Sequence, residues 1–198
     1  MRNKFLLILI CVLSTSLFDA AFCAPNKMQK VSAVTANRKI LIYNNRDLPP
    51  YSFINSSGKP DGFFPELTKA IMEELHLNYE VKLINWKNAI ELAREGHCDL
   101  ISGISKTKER EHYFTFGNAY LIVAQALVFK NNKRNANDIE LIRNNKIIVE
   151  QKGIAKTLLA ERGIVNNIIE INDLSRGIDI LYASNDKSLM CNYETAAF

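Results

Sequence analysis

Gly103, Ser105 and Arg110 lie close enough in the sequence to hold an anion together. Gly103 and Ser105 fall at the end of Asp99 to Ile104, an apolar run that reads as a buried strand. Arg110 follows after Thr107-Lys-Glu. Open α/β sheets bind ligands beyond the carboxyl ends of their strands, so this strand would deliver Gly103 and Ser105 to a ligand cleft. A guanidinium holds a carboxylate through two parallel N–H···O bonds. Thr107 can cap a short helical turn that carries Glu109 and Arg110. The N–H groups and dipole at the start of that turn favour an anion further. The chemistry would be non-covalent capture of a carboxylate. Spacing alone favours a plainer reading, in which Arg110 is one more surface charge in a Lys-Thr-Lys-Glu-Arg run.

Other chemistries find no support. His76, His97 and His112 are far apart in sequence and read as surface residues on helix ends or turns. There is no G-x-S-x-G, P-loop or H-E-x-x-H motif. No CxxC spacing points to zinc. Accordingly no catalytic residue, metal or cofactor is expected. Trp86, the single tryptophan, could lay a flat ring on an apolar ligand body or face a cation, or could simply anchor its helix in the core.

The elements that must position these residues alternate between strand and helix. Lys39 to Tyr43 is β-rich, and Pro49 and Pro50 prevent its continuation. Asn55 to Asp61 carries turn residues. A helix is predicted from Pro65, with Leu67, Ala70, Ile71 and Leu75 on one face. Tyr79 to Ile84 reads as a strand. A second helix opens at Trp86, buries Ala89, Ile90 and Ala93, and ends at Gly96. Leu121 to Phe129 is a long apolar run, followed by a polar break from Lys130 to Asn137. The alternation then resumes with a strand at Lys146 to Glu150, a helix at Ile154 to Arg162 and a strand at Ile168 to Ile171. Asp173 caps a helix to Ala183, Ser188 to Asn192 is a strand, and a last helix runs from Tyr193 to Phe198. This spacing predicts two successive parallel α/β layers.

Composition and targeting bound the function. The chain has 198 residues, 47% hydrophobic and 23% charged, which is globular. A net charge of +4 without a concentrated basic stripe argues against nucleic acid as a partner. Arg2 and Lys4 precede an apolar run, Phe5 to Leu13, and small residues follow at Ala20, Ala21 and Ala24. This is the layout of an export signal over residues 1–23, with the cut at 23 or 24. A retained membrane anchor is the alternative, but the run falls short of the roughly 20 residues a span needs. Residues 24–38 read as a linker. Cys98 and Cys191 remain in the exported part, where a disulfide is an option. Two buried free thiols are the preferred reading, because buried cysteine is common in cores.

Six stretches, in order and at the right spacing, resemble the type 2 periplasmic binding proteins, specifically the family 3 solute-binding domains. They are Leu48-Pro-Pro-Tyr-Ser-Phe53, Gly62-Phe-Phe-Pro-Glu-Leu-Thr-Lys-Ala-Ile71, Trp86 with its helix, Gly96-His-Cys-Asp-Leu-Ile-Ser-Gly-Ile104, Thr107-Lys-Glu-Arg110 and Val149-Glu-Gln-Lys-Gly153. The resemblance implies a two-lobe α/β Venus-flytrap, with lobe 1 at 39–129 and an incomplete lobe 2 at 130–198. It implies that Gly103, Ser105 and Arg110 hold a ligand's carboxylate and amine, that Trp86 forms a wall, and that Tyr51 flanks the entrance. A hinge near Phe129 and Lys130 would close the lobes.

The chain departs from that pattern at positions that matter. The residue that usually meets a ligand ammonium at the end of the first strand is Asn45, and the second-lobe acidic partner falls at Asn192. A nearby wall position is Leu48, and Gly153 is followed by Ile-Ala rather than a hydroxyl residue. An amide supplies no countercharge, and charge-assisted bonds are about twice as strong as neutral ones. The resemblance implies periplasmic binding of an amino-acid-like or carboxylate solute; the two lost carboxylates beside a kept arginine favour a carboxylate without a strong ammonium requirement and equally permit a domain that no longer binds amino acids. The solute-laden form would serve an ABC permease or a membrane sensor kinase. The motif wording also resembles sensor domains of histidine kinases and cyclases. Some proteins on this scaffold are dehydratases, but the acid/base candidates here, Asp61 and Glu66, read more simply as a turn residue and a helix-start residue.

Overall fold

The computed structural model describes residues 12–23, 38–130, 142, 145–183 and 185–198. The chain divides into two compact units, Leu17–Ile122 and Val123–Phe198 with Met1–Ser16. The expected linker, apart from Arg38, and the expected polar break, apart from Lys130, lie outside the described residues.

In the first unit, the Phe18–Phe22 stretch of strand β1 (Val12–Cys23) runs antiparallel to β7 (Leu100–Ser105). So the end of the segment expected to be an export signal forms a strand. β7 is flanked on its other side by β2 (Ile40–Asn45), which is also parallel to β6 (Tyr79–Ile84). β8 (Phe114–Phe116) pairs with β1. A small antiparallel sheet is built from β3 (Asp47–Leu48), β4 (Ser52–Ile54) and β5 (Pro60–Asp61). The Pro49–Pro50 peptide, between β3 and β4, is cis.

Two helices cover this sheet. α2 (Trp86–Arg94) behaves as its periodicity predicts: Trp86, Ala89, Ile90 and Ala93 are buried against Tyr43, Ile101, Ile104 and Phe114. Asn85 caps it by accepting from the Asn88 N–H at 3.4 Å. α1 (Phe63–Glu74) does not present the predicted face. It buries Phe64, Pro65, Thr68 and Met72, whereas Ile71 and Leu75 are 45% and 58% exposed. The cause lies at the entry to the helix. Gly62 adopts φ 103, and the Phe64 N–H donates to the Tyr51 carbonyl at 2.8 Å. That turn starts the helix two residues before Pro65 and rotates Phe64, Thr68 and Met72 inward at i, i+4, i+8 spacing. A Cβ on Gly62 would come within 2.6 Å of the Pro50 carbonyl oxygen, so the turn requires glycine.

In the second unit, β10 (Lys146–Glu150) lies between parallel neighbours β11 (Ile168–Ile171) and β12 (Lys187–Asn192). β9 (Leu121–Phe129) runs antiparallel to β12. The helices are α3 (Ile154–Glu161), α4 (Leu174–Tyr182) and α5 (Tyr193–Ala197). α3 packs on Leu127, Phe129, Ile147 and Val149, and α4 packs on Ile148, Leu189 and Cys191. Parallel strands buried on both faces give the continuous apolar runs seen in the sequence.

Cys98 and Cys191 are both buried thiols outside any disulfide, as preferred from the sequence. Burial pushes the Cys191 thiol up to about 12, and the nearby Glu150 carboxylate adds to the shift. Since the folded thiol titrates above its ordinary 9.0, the stability it contributes is complete below pH 9 and is lost as pH rises towards 12. Cys191→Ala should flatten that alkaline limb of a urea-denaturation profile. An unchanged limb would show that Cys191 does not titrate with unfolding.

Candidate functional site

Residues of the first unit that were singled out from sequence gather around the carboxyl ends of β2 and β7. Arg110 is the first residue of a 3-10 turn, Arg110–His112, and its N–H donates to Thr107 Oγ1 at 3.2 Å. Thr107 thus caps the turn as its sequence predicts. Arg110 is only 8% exposed, so it is not a solvated surface charge. Its Nη1 donates to the Ser105 carbonyl at 2.7 Å, and its guanidinium carbon lies 6.0 Å from the centre of the Trp86 ring. Trp86 is 5% exposed and is part of the core cluster, so one ring both anchors α2 and backs the arginine. Ser105 is buried as well.

Gly103 is held in an unusual conformation in the middle of β7. Its φ is +68, and an added Cβ would lie 2.5 Å from the Phe64 ring. Its N–H donates to the Tyr120 hydroxyl at 3.1 Å. Phe64 stacks on Tyr51 at 5.4 Å and meets Tyr120 edge-on at 6.2 Å. Tyr51 is buried in this aromatic group. Phe64 and Tyr120 were not singled out from the sequence. Phe64 stands within the Gly62–Ile71 stretch that carries the family resemblance, and Tyr120 immediately precedes the apolar run Leu121 to Phe129.

Asn45 is buried at the end of β2. Its side-chain oxygen accepts from the Asp47 N–H at 3.0 Å, and its carbonyl accepts from Ser52 Oγ. These bonds shape the turn into β3. Its neighbour Asn44 donates to Ser102 Oγ at 2.8 Å and so ties the ends of β2 and β7 together. Asp61 accepts from the Gly62 N–H and from Asn55, as a turn residue does. Glu66 is exposed in the first turn of α1. The three histidines are exposed.

The remaining two candidates lie in the second unit, at the carboxyl ends of β10 and β12. Gly153 precedes α3, and its N–H donates to the Glu150 carbonyl at 3.1 Å. Asn192 is buried and accepts from Gln125 Nε2, its cross-strand partner on β9. Among the described residues no group of His, Cys, Asp and Glu is placed to hold a metal ion, and no helix is long and apolar enough to cross a membrane.

Comparison with known proteins agrees with this architecture. Residues 40–190 match the model of bacterial extracellular solute-binding proteins, family 3. The membrane-bound lytic murein transglycosylase F of Idiomarina loihiensis is 26% identical over 71% of this chain and 31% of its own length. The amino-acid-binding protein AabA of Dichelobacter nodosus is 28% identical over 55% of this chain and 44% of its own. The chain thus spans less than half the length of these curated relatives. The crystal structure of a histidine kinase sensor domain with similarity to periplasmic binding proteins superposes with a TM-score of 0.74. That match is 28% identical and covers 81% of this chain and 70% of the other. The fold is the α/β fold of type 2 periplasmic binding proteins. With its family model matched across most of its length, the chain belongs to the bacterial extracellular solute-binding proteins, family 3.

Proposed function

We propose that this chain is an exported binding module that takes a small amino-acid-like or carboxylate solute in the periplasm. One observation carries the reading: Arg110 is buried at the carboxyl end of a parallel strand, held by the Ser105 carbonyl and backed by the only tryptophan. A guanidinium offers five donors in a planar fork, which suits a carboxylate approached side-on. Ser105 and Gly103 line the same strand end, and Trp86 and Tyr51 supply ring surface near it. In the second unit the candidate residues are Gly153 and Asn192. AabA, an amino-acid-binding protein by name, supports the solute class. No reaction is assigned to the chain.

The likeness to a kinase sensor domain favours ligand sensing as a second reading of the output, beside delivery to an ABC permease. A permease gene beside this one would favour uptake, and a kinase reading frame would favour sensing. The binding claim itself is tested by a thermal-shift screen of the exported chain against the amino acids and small carboxylates. A rise in melting temperature with one solute class is expected. A flat response to the whole panel would overturn the proposal.

A further inference from the structure

Helix α2 and the turn Arg110–His112 meet through two arginine–aromatic contacts of opposite sense. Trp86, the first residue of α2, backs Arg110. Arg94, the last residue of α2, places its guanidinium carbon 3.9 Å from the centre of the Tyr113 ring. Tyr113 closes the turn, and its N–H donates to the Arg110 carbonyl at 3.0 Å. Each element thus gives one ring and one guanidinium to the other. An α-helix rises 1.5 Å per residue, so the two contacts leave α2 about 12 Å apart along its axis. Phe114, the residue after Tyr113, is buried in one cluster with Ala89, Ile90 and Ala93.

The turn moves as one piece. The Glu111 N–H donates to the Thr107 carbonyl at 3.0 Å, and the His112 N–H donates to the Glu109 carbonyl at 3.2 Å. Phe114 pins this piece to α2 at one point, and a body pinned at one point can pivot. A second contact removes the pivot. Cations are attracted to a ring within about 6 Å of its centre. Arg110 and Trp86, at 6.0 Å, are at that limit, whereas Arg94 and Tyr113 are well inside it. Arg94 and Tyr113 are both exposed, so their contact adds little to the core. Its effect is on orientation. We propose that Arg94 is a positioning residue: by clamping Tyr113 it fixes the angle at which Arg110 presents its planar fork to a carboxylate. A fork already aimed loses less freedom when it binds. The inference rests on the solute-binding reading above and deepens it.

Trp86 is the only tryptophan, so its fluorescence reports on the Arg110 end of α2 while substitutions are made at the other end. In the full chain, Arg94→Ala and Tyr113→Leu should each increase the quenching of Trp86 by acrylamide, because a pivoting turn uncovers the ring. Tyr113→Phe keeps the aromatic face and should match the wild type. The solute of the thermal-shift panel that gives the largest rise is the probe for affinity. Arg94→Ala should weaken its binding by about two- to fivefold, the scale of one exposed cation–π contact, with a melting temperature near that of the wild type. Wild-type quenching in both Arg94→Ala and Tyr113→Leu overturns the inference and leaves the solute-binding reading standing. So does a lowered melting temperature with unchanged affinity, the result a purely structural pair would give. An effect of Tyr113→Phe as large as that of Tyr113→Leu would assign the role to the hydroxyl and overturns it too. A flat panel brings down the solute-binding reading and the inference with it, and increased quenching in the two variants would then show that the failure lies in the solute and not in the clamp.

Discussion

Arg110→Ala is expected to abolish the ligand-induced rise in melting temperature while leaving a folded chain. Truncating one partner of a buried, hydrogen-bonded charge pair costs about 2–5 kcal/mol of binding. That is a loss of roughly 30-fold or more in affinity, enough to remove a shift at ordinary ligand concentrations. The variant also leaves the Ser105 carbonyl without its Nη1 donor. An unsatisfied buried acceptor costs about 1–3 kcal/mol, so the free variant should melt below the wild type as well. Arg110→Lys separates the two effects. It keeps a cation near Trp86 but lacks the fork, so it should recover stability more than affinity. Undiminished binding by Arg110→Ala would show that the carboxylate is held elsewhere.

The second large effect is expected at Gly103→Ala, and it is one of stability. Two independent penalties meet there. The backbone is at φ +68, where a Cβ costs about 1–2 kcal/mol. The new methyl would also sit 2.5 Å from the ring of Phe64, which is 1% exposed and stacked on Tyr51. Overpacking of that kind costs about 1–3 kcal/mol. The sum, roughly 2–5 kcal/mol, should lower the melting temperature of the first unit by several degrees or prevent its folding. The double variant Gly103→Ala/Phe64→Leu should regain part of the loss by clearing space, but not the part due to φ. A wild-type melting temperature for Gly103→Ala would refute the contact with Phe64. The same geometry gives Gly103 a structural reason to be glycine that is independent of any ligand.

The limits of strands β6, β10 and β11 could be read from the chain itself; in β10 the cause is burial between parallel neighbours, which produces an apolar run. The inward face of α2 was legible for a related reason: its small and apolar residues leave a single stripe. The face of α1 was not. Its apolar residues surround most of the helix, and the buried set was chosen by the Gly62 turn and by the fit of Phe64 under Gly103. Periodicity supplies a repeat but no origin when apolar residues lie on both sides.

Arg110 shows the same division at the site. Its residue type, its place after a strand and the Thr107 cap were all present in the sequence and marked a carboxylate-binding candidate. Only the folded chain distinguished a buried guanidinium from one more charge in a basic run, since burial depends on what α2 and β7 bring around it. Tyr120 reaches Gly103 and Asn192 meets Gln125 through contacts between residues distant in sequence. Family, fold class and the arginine were thus determined by local residue order. Which polar groups are paired was decided by strand register, since a hydrogen bond depends on distance in space, whatever the separation along the chain.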